Sequence, residues 1–592
     1  MNIYELLNEL ISNQNKRLSK YMFTEELKDK LETELDRKIF EIVKNICSLG
    51  VDISMTKISF LPLAVIGNKR SFSIEDFSED DYSLLESLDL ERLPLRLQVR
   101  IADILWTEKR IRKNAIVASN GYLELFNLSL NQEEWFSAIG FIKRAISISL
   151  QVKCEEISNK AFEMILSKTF EISRYNVICT LRLLEIIIFH KHNNFNEIIN
   201  IINYIIKNSD DSILNIEKAY ALKYDLCVAY KKSDLAKKAR LELADLYVNY
   251  ADNEIKNDVS SVMTAENCLK KAVCIYNNYK EKTKAESVHR KLLIVQKEIL
   301  KFIKPVSTTI DMSTAIDYIE KNFSNMSFEE SILRLVQLTK MYTKEEIRKD
   351  ILKNHSEFRL KNLLYNEIIN KYGQTVIKIP PLSLDNPEAD EKLMDLHINR
   401  KLVDLGELEG NLFIRYIVHK IHTSFEFKLD ELDFLVSNNC IIPEGREKIF
   451  KSAVFMIFNE QYYEAIHILA PQIENLFREL ARKVGAITST IENDGSSREK
   501  VLSSIFDLPE LVDCYDNDIL FLFKSLMNEI SGANIRNKVA HGLISEEEAS
   551  SGIYLYFFAV TIKLLSYTSK ETYKILKTNS RLQEFDDVEF KK

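Results

Sequence analysis

Glycine and proline are scarce, at 13 and 9 in 592 residues. Sandwiches and barrels turn every ten residues or so on such residues, so the shortage argues against an all-β chain and against Gly-rich linkers. The eight cysteines (Cys47, Cys154, Cys179, Cys227, Cys268, Cys274, Cys440 and Cys514) contain no Cys-x-x-Cys pair. That excludes the usual zinc and dithiol motifs, and in a chain of this size they read as reduced core residues. A positive balance is missing too: the formal net charge is −8, and residues 443–592 hold 18 Lys plus Arg against 23 Asp plus Glu, a net of −5. A domain that coats nucleic acid is thereby excluded. An RNA site would need a local positive pocket inside a repelling envelope, which favours weak, transient or partner-assisted capture. Long apolar runs are absent, since the longest, residues 553–562, is cut by Lys563 after about half a membrane span. The first residues lack a basic stretch followed by an apolar one. A cytoplasmic protein without membrane contact is expected. No Gly-rich phosphate loop, Ser elbow or dinucleotide fingerprint occurs, and no cofactor is implied.

What abounds is Leu, Ile, Lys, Glu and Asn, which suits long helices joined by short turns. The expected class is all-α, a helical-hairpin or solenoid-like region followed by a C-terminal helical bundle. Three or four domains, or one extended array, fit the length. The pattern suggests an N-terminal helical domain (1–130), a repeat-like region (131–304), a connecting region (305–440) with a Pro-containing loop at 373–390, and a final domain (441–592).

In the first, helices are expected at 3–19, 25–48 and 95–112, with Pro62 and Pro94 at turns. Ile101, Ile104, Leu105 and Trp106 share a face that reads as core. The run Lys109, Arg110, Arg112 and Lys113 reads as a solvated face, or alternatively as a patch for RNA or a partner. Between 130 and 300, Ala239, Leu243, Ala244 and Tyr247 are loosely echoed by Leu269, Ala272, Val273 and Tyr276, as when neighbouring helices stack. A solenoid-like stack and an irregular helical domain both remain open. Such stacks present a docking face, so this half could receive a protein trigger or inhibitor. After Pro305, helices are expected at 315–322, 328–341, 344–371 and 393–433, with a short strand at 376–379. The final domain should hold helices at 446–459, 462–484, 497–505, 517–530 and 546–569, the fourth breaking at Ser531-Gly532.

One stretch reads as chemistry: Arg536-Asn537-Lys538-Val539-Ala540-His541-Gly542. A guanidinium clamps phosphate through a planar fork, and an imidazole can move a proton near neutral pH. Upstream stands Ala465-Ile466-His467-Ile468-Leu469-Ala470-Pro471-Gln472-Ile473-Glu474-Asn475-Leu476-Phe477-Arg478. The Pro-Gln-Ile-Glu segment followed some sixty residues later by Arg-Asn-x-x-Ala-His-Gly resembles the HEPN superfamily, and within it a family of large bacterial proteins of unassigned function. Arg100 to Trp106 resembles a segment often found at the front of the same proteins.

The resemblance implies a metal-independent endoribonuclease working as a homodimer, with two copies of the motif facing each other across a cleft. His541 would act as general base on the ribose 2′-OH or general acid on the 5′-oxygen. Arg536 would bind the scissile phosphate, and Asn537 would orient the imidazole or hold a phosphate oxygen. Arg478 and Lys538 are candidate substrate-binding cations, though Arg478 could instead pair with Glu474 at i,i+4. Glu474 would hold Arg536 or Arg478, or be an ordinary surface carboxylate. Proteins of this plan resemble toxins or antiphage effectors, with an N-terminal sensing region. The alternative is a non-catalytic scaffold whose last domain dimerises or binds nucleotide. Five positions on an ideal helix rotate about 140°, so a turn or a long Arg reach is needed for Arg536 and His541 to meet one phosphate. His419 with His422, and His190 with His192, lack a third ligand at suitable spacing, so no metal site is expected.

Overall fold

Helix after helix packs as hairpins through the chain, and the only strands among the described residues form four two-stranded ribbons. The structure, a computed structural model, describes residues 1–12, 18–53, 58–66, 69–174, 176–191, 194–208, 213–254, 259–303, 311–358 and 363–583. Pro305 and His192 lie outside them. Two compact units divide the chain, Met1–Val295 and Gln296–Lys592.

In the first unit, one apolar cluster runs from Ile3 to Leu105 and a second from Val99 to Leu226. Ile101, Ile104, Leu105 and Trp106 are buried, as their helical spacing predicts. The first described helix is Ile3–Ser12, and residues 13–17 of the helix expected at 3–19 lie outside the described residues. The helix expected at 25–48 is two, Glu25–Lys28 and Glu34–Ile46, because Thr33 accepts a hydrogen bond from the Asp36 amide at 3.0 Å and caps a fresh start. Pro62 closes the strand Ile58–Pro62 rather than marking a turn, whereas Pro94 immediately precedes the helix Leu95–Lys109. Lys113 and Arg112 are exposed, Arg110 lies over Trp106 at 5.3 Å and Lys109 pairs with Glu79, an arrangement that both readings of the basic run allow.

A chain short of glycine still has to reverse between helices. It does so through left-handed charged residues: Arg110, Glu133, Lys153, Lys231 and Lys280 all have φ between 55° and 63° at helix ends. Each carries a Cβ into a region that disfavours one, at about 1 kcal/mol, which tertiary packing must offset. The packing of this unit includes a buried ion pair. The Arg144 Nε donates to Asp103 at 2.8 Å, Tyr122 donates to the same carboxylate at 2.7 Å, and Arg144 also reaches Thr107 at 2.9 Å. Three helices, Leu95–Lys109, Arg112–Asn131 and Trp135–Gln151, are tied together by this network. Ala239, Leu243, Ala244 and Tyr247 are buried with Leu269, Ala272 and Tyr276, consistent with adjacent stacked helices.

In the second unit a single apolar core links Ile319 to Leu582, so the boundary expected near residue 440 falls inside one shared core. Its spine is the helix Gly552–Thr568, buried on every side, which explains the longest apolar run of the sequence. No helix among the described residues is long and apolar enough to cross a membrane. Glu391–Glu409 crosses that spine closely: a Cβ on Gly410 would stand 1.9 Å from the Gly552 carbonyl, so only glycine fits. Glu407 caps the spine, accepting from the amides of Gly552 at 3.2 Å and Ile553 at 2.8 Å.

Four expected helices of this unit are corrected. The one expected at 393–433 stops at Ser424, where Phe425 turns extended, and resumes only as the short Leu429–Leu432 and Asp433–Val436 turns. The helix from Lys344 stops at Glu357, and Asn366–Ile369 pairs with Thr375–Ile379 in a hairpin that contains the strand expected at 376–379. Ser497–Glu499 is a strand paired with Ser489–Ile491, and only Leu502–Phe506 is helical. The last expected helix divides into Glu546–Ala549 and Gly552–Thr568. Every cysteine is a free thiol, but Cys274, Cys440 and Cys514 are exposed rather than core.

Candidate functional site

Two helices bring the motif residues together. The first, Tyr462–Lys483, buries Ile466, Leu469, Ile473, Leu476, Phe477 and Leu480, and this stripe fixes its rotation. Glu474, Arg478 and Arg482, four apart, are thereby held on one outer face. Pro471 sits inside the helix on its exposed side, where a missing amide leaves one carbonyl to water.

The second helix is delivered by a tight turn. Asn517–Met527 starts at Asp516, whose carboxylate accepts from the Asp518 and Ile519 amides at 2.8 and 3.1 Å. Beyond its end the chain doubles back, and the Ala533 amide donates to the Ser525 carbonyl at 3.2 Å. A Cβ at Gly532 would lie 2.0 Å from that same carbonyl, so glycine is required there. Asn534 takes a left-handed conformation (φ 53°) and the short helix Ile535–Ala540 begins, anchored by fully buried Ile535. Gly542, at φ 63°, ends it, with the Leu543 amide donating back to the Lys538 carbonyl at 2.9 Å. Arg536 and His541 therefore follow the turn expected at 531–532, but stand at the two ends of a helix. Helical rotation sets His541 on the side of Asn537 and Lys538, and Arg536 on another.

Glu474 joins the two elements. One of its oxygens accepts from Arg536 Nε at 2.8 Å and the other from Arg478 at 2.9 Å, so it serves both arginines that the sequence offered as alternatives. Arg536 also donates to the Asn537 side-chain oxygen at 3.1 Å, and the Asn537 amide donates to Asn534 at 2.7 Å. Asn537 is thus committed to Arg536 and the turn, not to the imidazole. The remaining amino group of Arg536 has no partner among the described residues, and the side chain is 33% exposed, so one edge of the fork stays open to a ligand.

The two candidate substrate-binding cations are engaged within the chain. Arg478, 11% exposed, also donates to Glu499 at 3.3 Å and to the Lys500 carbonyl at 2.7 Å. Lys538 donates to Glu548 at 2.9 Å, and Tyr554, whose phenol burial holds well above its ordinary range, donates to the same carboxylate at 3.3 Å. Glu499, from the Ser497–Glu499 strand, further binds Arg482 at 2.5 Å. Arg478, Arg482, Arg536 and Lys538 are thus matched by Glu474, Glu479, Glu499 and Glu548. His541 differs from all of them: it is exposed, and its ring makes no hydrogen bond with a described residue.

Sequence reasoning missed Asn534, Glu499 and Glu548. The first had a signal, since Asn is among the few non-Gly residues that tolerate a left-handed turn. The other two are ordinary acids until the fold brings them to the site. Elsewhere, His419 meets Glu460 at 3.0 Å and His422 the Phe458 carbonyl at 3.1 Å, while half-buried His190 packs on Phe162 and Phe189. Among the described residues no group of three or more His, Cys, Asp or Glu is arranged to hold a metal ion.

Residues 2–159 match a family described as a domain of unknown function (DUF7380). The matched segment contains Asp103, Tyr122 and Arg144 and none of the candidate site residues. No curated protein matches the chain.

Proposed function

We propose that the chain is a metal-independent endoribonuclease of HEPN type, acting in the cytoplasm as a toxin or antiphage effector under control of its N-terminal helices. The observation that carries this reading is the contrast within seven residues: Arg536 is clamped by Glu474 with one edge of its fork open, and His541 is an exposed imidazole with no partner among the described residues. Clamping through Nε fixes the direction of the open edge without occupying it, which is preorganisation for a phosphate.

In the proposed reaction an imidazole removes the proton from a ribose 2′-OH. The oxygen attacks the adjacent phosphorus, and the 5′-oxygen leaves with a proton from a second acid, giving a 2′,3′-cyclic phosphate and a 5′-OH. Arg536 stabilises the extra negative charge on the pentacovalent phosphorus. One motif supplies one imidazole, so the second acid comes from another copy of the chain. Exposed apolar side chains around the site support such pairing: Leu543, next to the motif, is 52% exposed, and Ile487, Ile491 and Val501 flank the strand that carries Glu499.

A second reading, a scaffold whose last domain only dimerises or binds nucleotide, is favoured by one observation: Arg478 and Lys538 are neutralised within the chain. Total cellular RNA incubated with wild-type protein and with His541→Ala separates the two. The nuclease reading expects fragments from the first only, and equal persistence of RNA in both would leave the scaffold.

A further inference from the structure

In the first unit, a cavity of about 340 Å³ lies against the first half of the helix Leu95–Lys109, walled also by the helices Arg112–Asn131 and Trp135–Gln151 and by the start of the strand Leu49–Ile53. That volume is in the range of small-molecule sites. The walls are mostly apolar, with Leu125, Phe136 and Phe141 among them, and Phe136 is largely exposed, so the cavity opens to solvent. Two guanidinium groups interrupt this surface. Arg96 and Arg100 are four apart on one helix and so share the face that lines the cavity. Their situations differ. Arg96 is matched by Glu134 at 3.1 Å. Arg100 pairs with no carboxylate among the described residues: one of its amino groups donates to the Leu49 carbonyl, and the guanidinium lies over the Phe60 ring at 4.9 Å. Carbonyl and ring fix the direction of the fork and leave its charge uncompensated.

The rest of the lining supplies no charge. Burial pushes the Cys47 thiol up to about 12 and the Tyr122 phenol well above its ordinary range, so both stay neutral. One unmatched cation on an apolar wall calls for one negative charge carried by an apolar body. A carboxylate brings that single charge and meets the planar fork with two parallel hydrogen bonds. A phosphate monoester would bring about −1.5 to −2 at neutral pH, more than one unmatched guanidinium balances. We infer that this cavity binds a small monocarboxylate with an aliphatic or aromatic body, its carboxylate seated on Arg100. Every lining residue falls within residues 2–159, so the site belongs to the segment that matches the domain of unknown function. The inference does not depend on the ribonuclease reading, because it uses none of that site's residues.

The test is calorimetric titration of the full chain with octanoate and 3-phenylpropanoate, and in parallel with octanamide, 3-phenylpropanamide and octyl phosphate. At least one acid should bind saturably and about tenfold or more tighter than its amide, and octyl phosphate should bind no tighter than octanoate. Arg100→Met keeps an apolar stem and removes the fork, and should weaken the acid about tenfold or more while leaving the amide unchanged. Should that variant not fold, the contrast of acid with amide in the wild type still reads the charge. Phe136→Ala, at an exposed position, then reads the place, and should weaken the same acid about threefold or more. Failure of both acids to bind overturns the inference. So does an amide that binds as tightly as its acid, tighter binding of octyl phosphate, or acid binding that folded Arg100→Met or Phe136→Ala leaves unchanged.

Discussion

Replacing Glu474 by Ala removes the one carboxylate that ties the Tyr462–Lys483 helix to the Ile535–Ala540 helix. Two guanidinium groups then lose a partner at once: Arg478, 11% exposed, and Arg536, 33% exposed. Hydrogen bonds to charged groups contribute about 1.5–3 kcal/mol each when desolvated. Water can replace the carboxylate at Arg536, and Arg478 keeps Glu499 and a carbonyl, so both fall at the low end and the sum is about 3 kcal/mol. For a unit of this size that corresponds to a fall in melting temperature of about 6 °C. Glu474→Gln keeps one acceptor oxygen, can serve one arginine, and should lose about half as much. Thermal melts followed by circular dichroism measure the stability, and cleavage of a labelled RNA measures the site. Both variants should cleave more slowly than wild type, Ala more than Gln, because Arg536 loses its fixed direction. A Glu474→Ala protein that melts within about a degree of wild type and cleaves as fast would refute the bridging role.

Three further outcomes follow from particular contacts. His541→Ala should abolish cleavage yet shift the melting temperature hardly at all, since an exposed, unbonded ring contributes under about 0.5 kcal/mol; Arg536→Lys should restore little, because an ammonium lacks the second arm of the fork. Gly532→Ala forces a Cβ to 2.0 Å from the Ser525 carbonyl, and should cost about 3 kcal/mol or more and lower cleavage together with stability, read by melting and assay on the same sample. Burial pushes the Glu409 carboxyl up to about 7, so the folded chain holds a proton there that the unfolded chain has released. Stability should therefore fall by about 3 kcal/mol as pH rises from about 4.5 to about 7, and Glu409→Gln should flatten that part of a urea-unfolding pH profile.

The helical class was legible because it depends on composition and on spacing over many residues. The burial of Ile101, Ile104, Leu105 and Trp106 was legible for the same reason. Breaks were harder. Residues 25–48 look continuous because Lys30, Leu31 and Glu32 are sound helix formers, and only the Thr33 cap splits them. Residues 366–379 carry isoleucines and a valine about an Asn370–Gly373 turn, a hairpin signal overridden by the helical run before it. At the site, the pattern marked Glu474, Arg536 and His541, and helical spacing offered the Glu474–Arg478 pair. What no local pattern holds is the sixty-two-residue bridge from Glu474 to Arg536, or the neutralising of Arg478 by a strand that itself reads as helix. Those contacts exist only once the buried stripe of one helix and the glycine turn before the other have set their positions.

The most direct test of the central claim is the chemistry of the cut ends. Wild-type protein, given a labelled single-stranded RNA in excess EDTA, should yield fragments ending in 2′,3′-cyclic phosphate and 5′-OH, while His541→Ala leaves the RNA whole. Intact RNA with the wild type, cleavage that returns only with a divalent ion, or equal cleavage by the variant would contradict it.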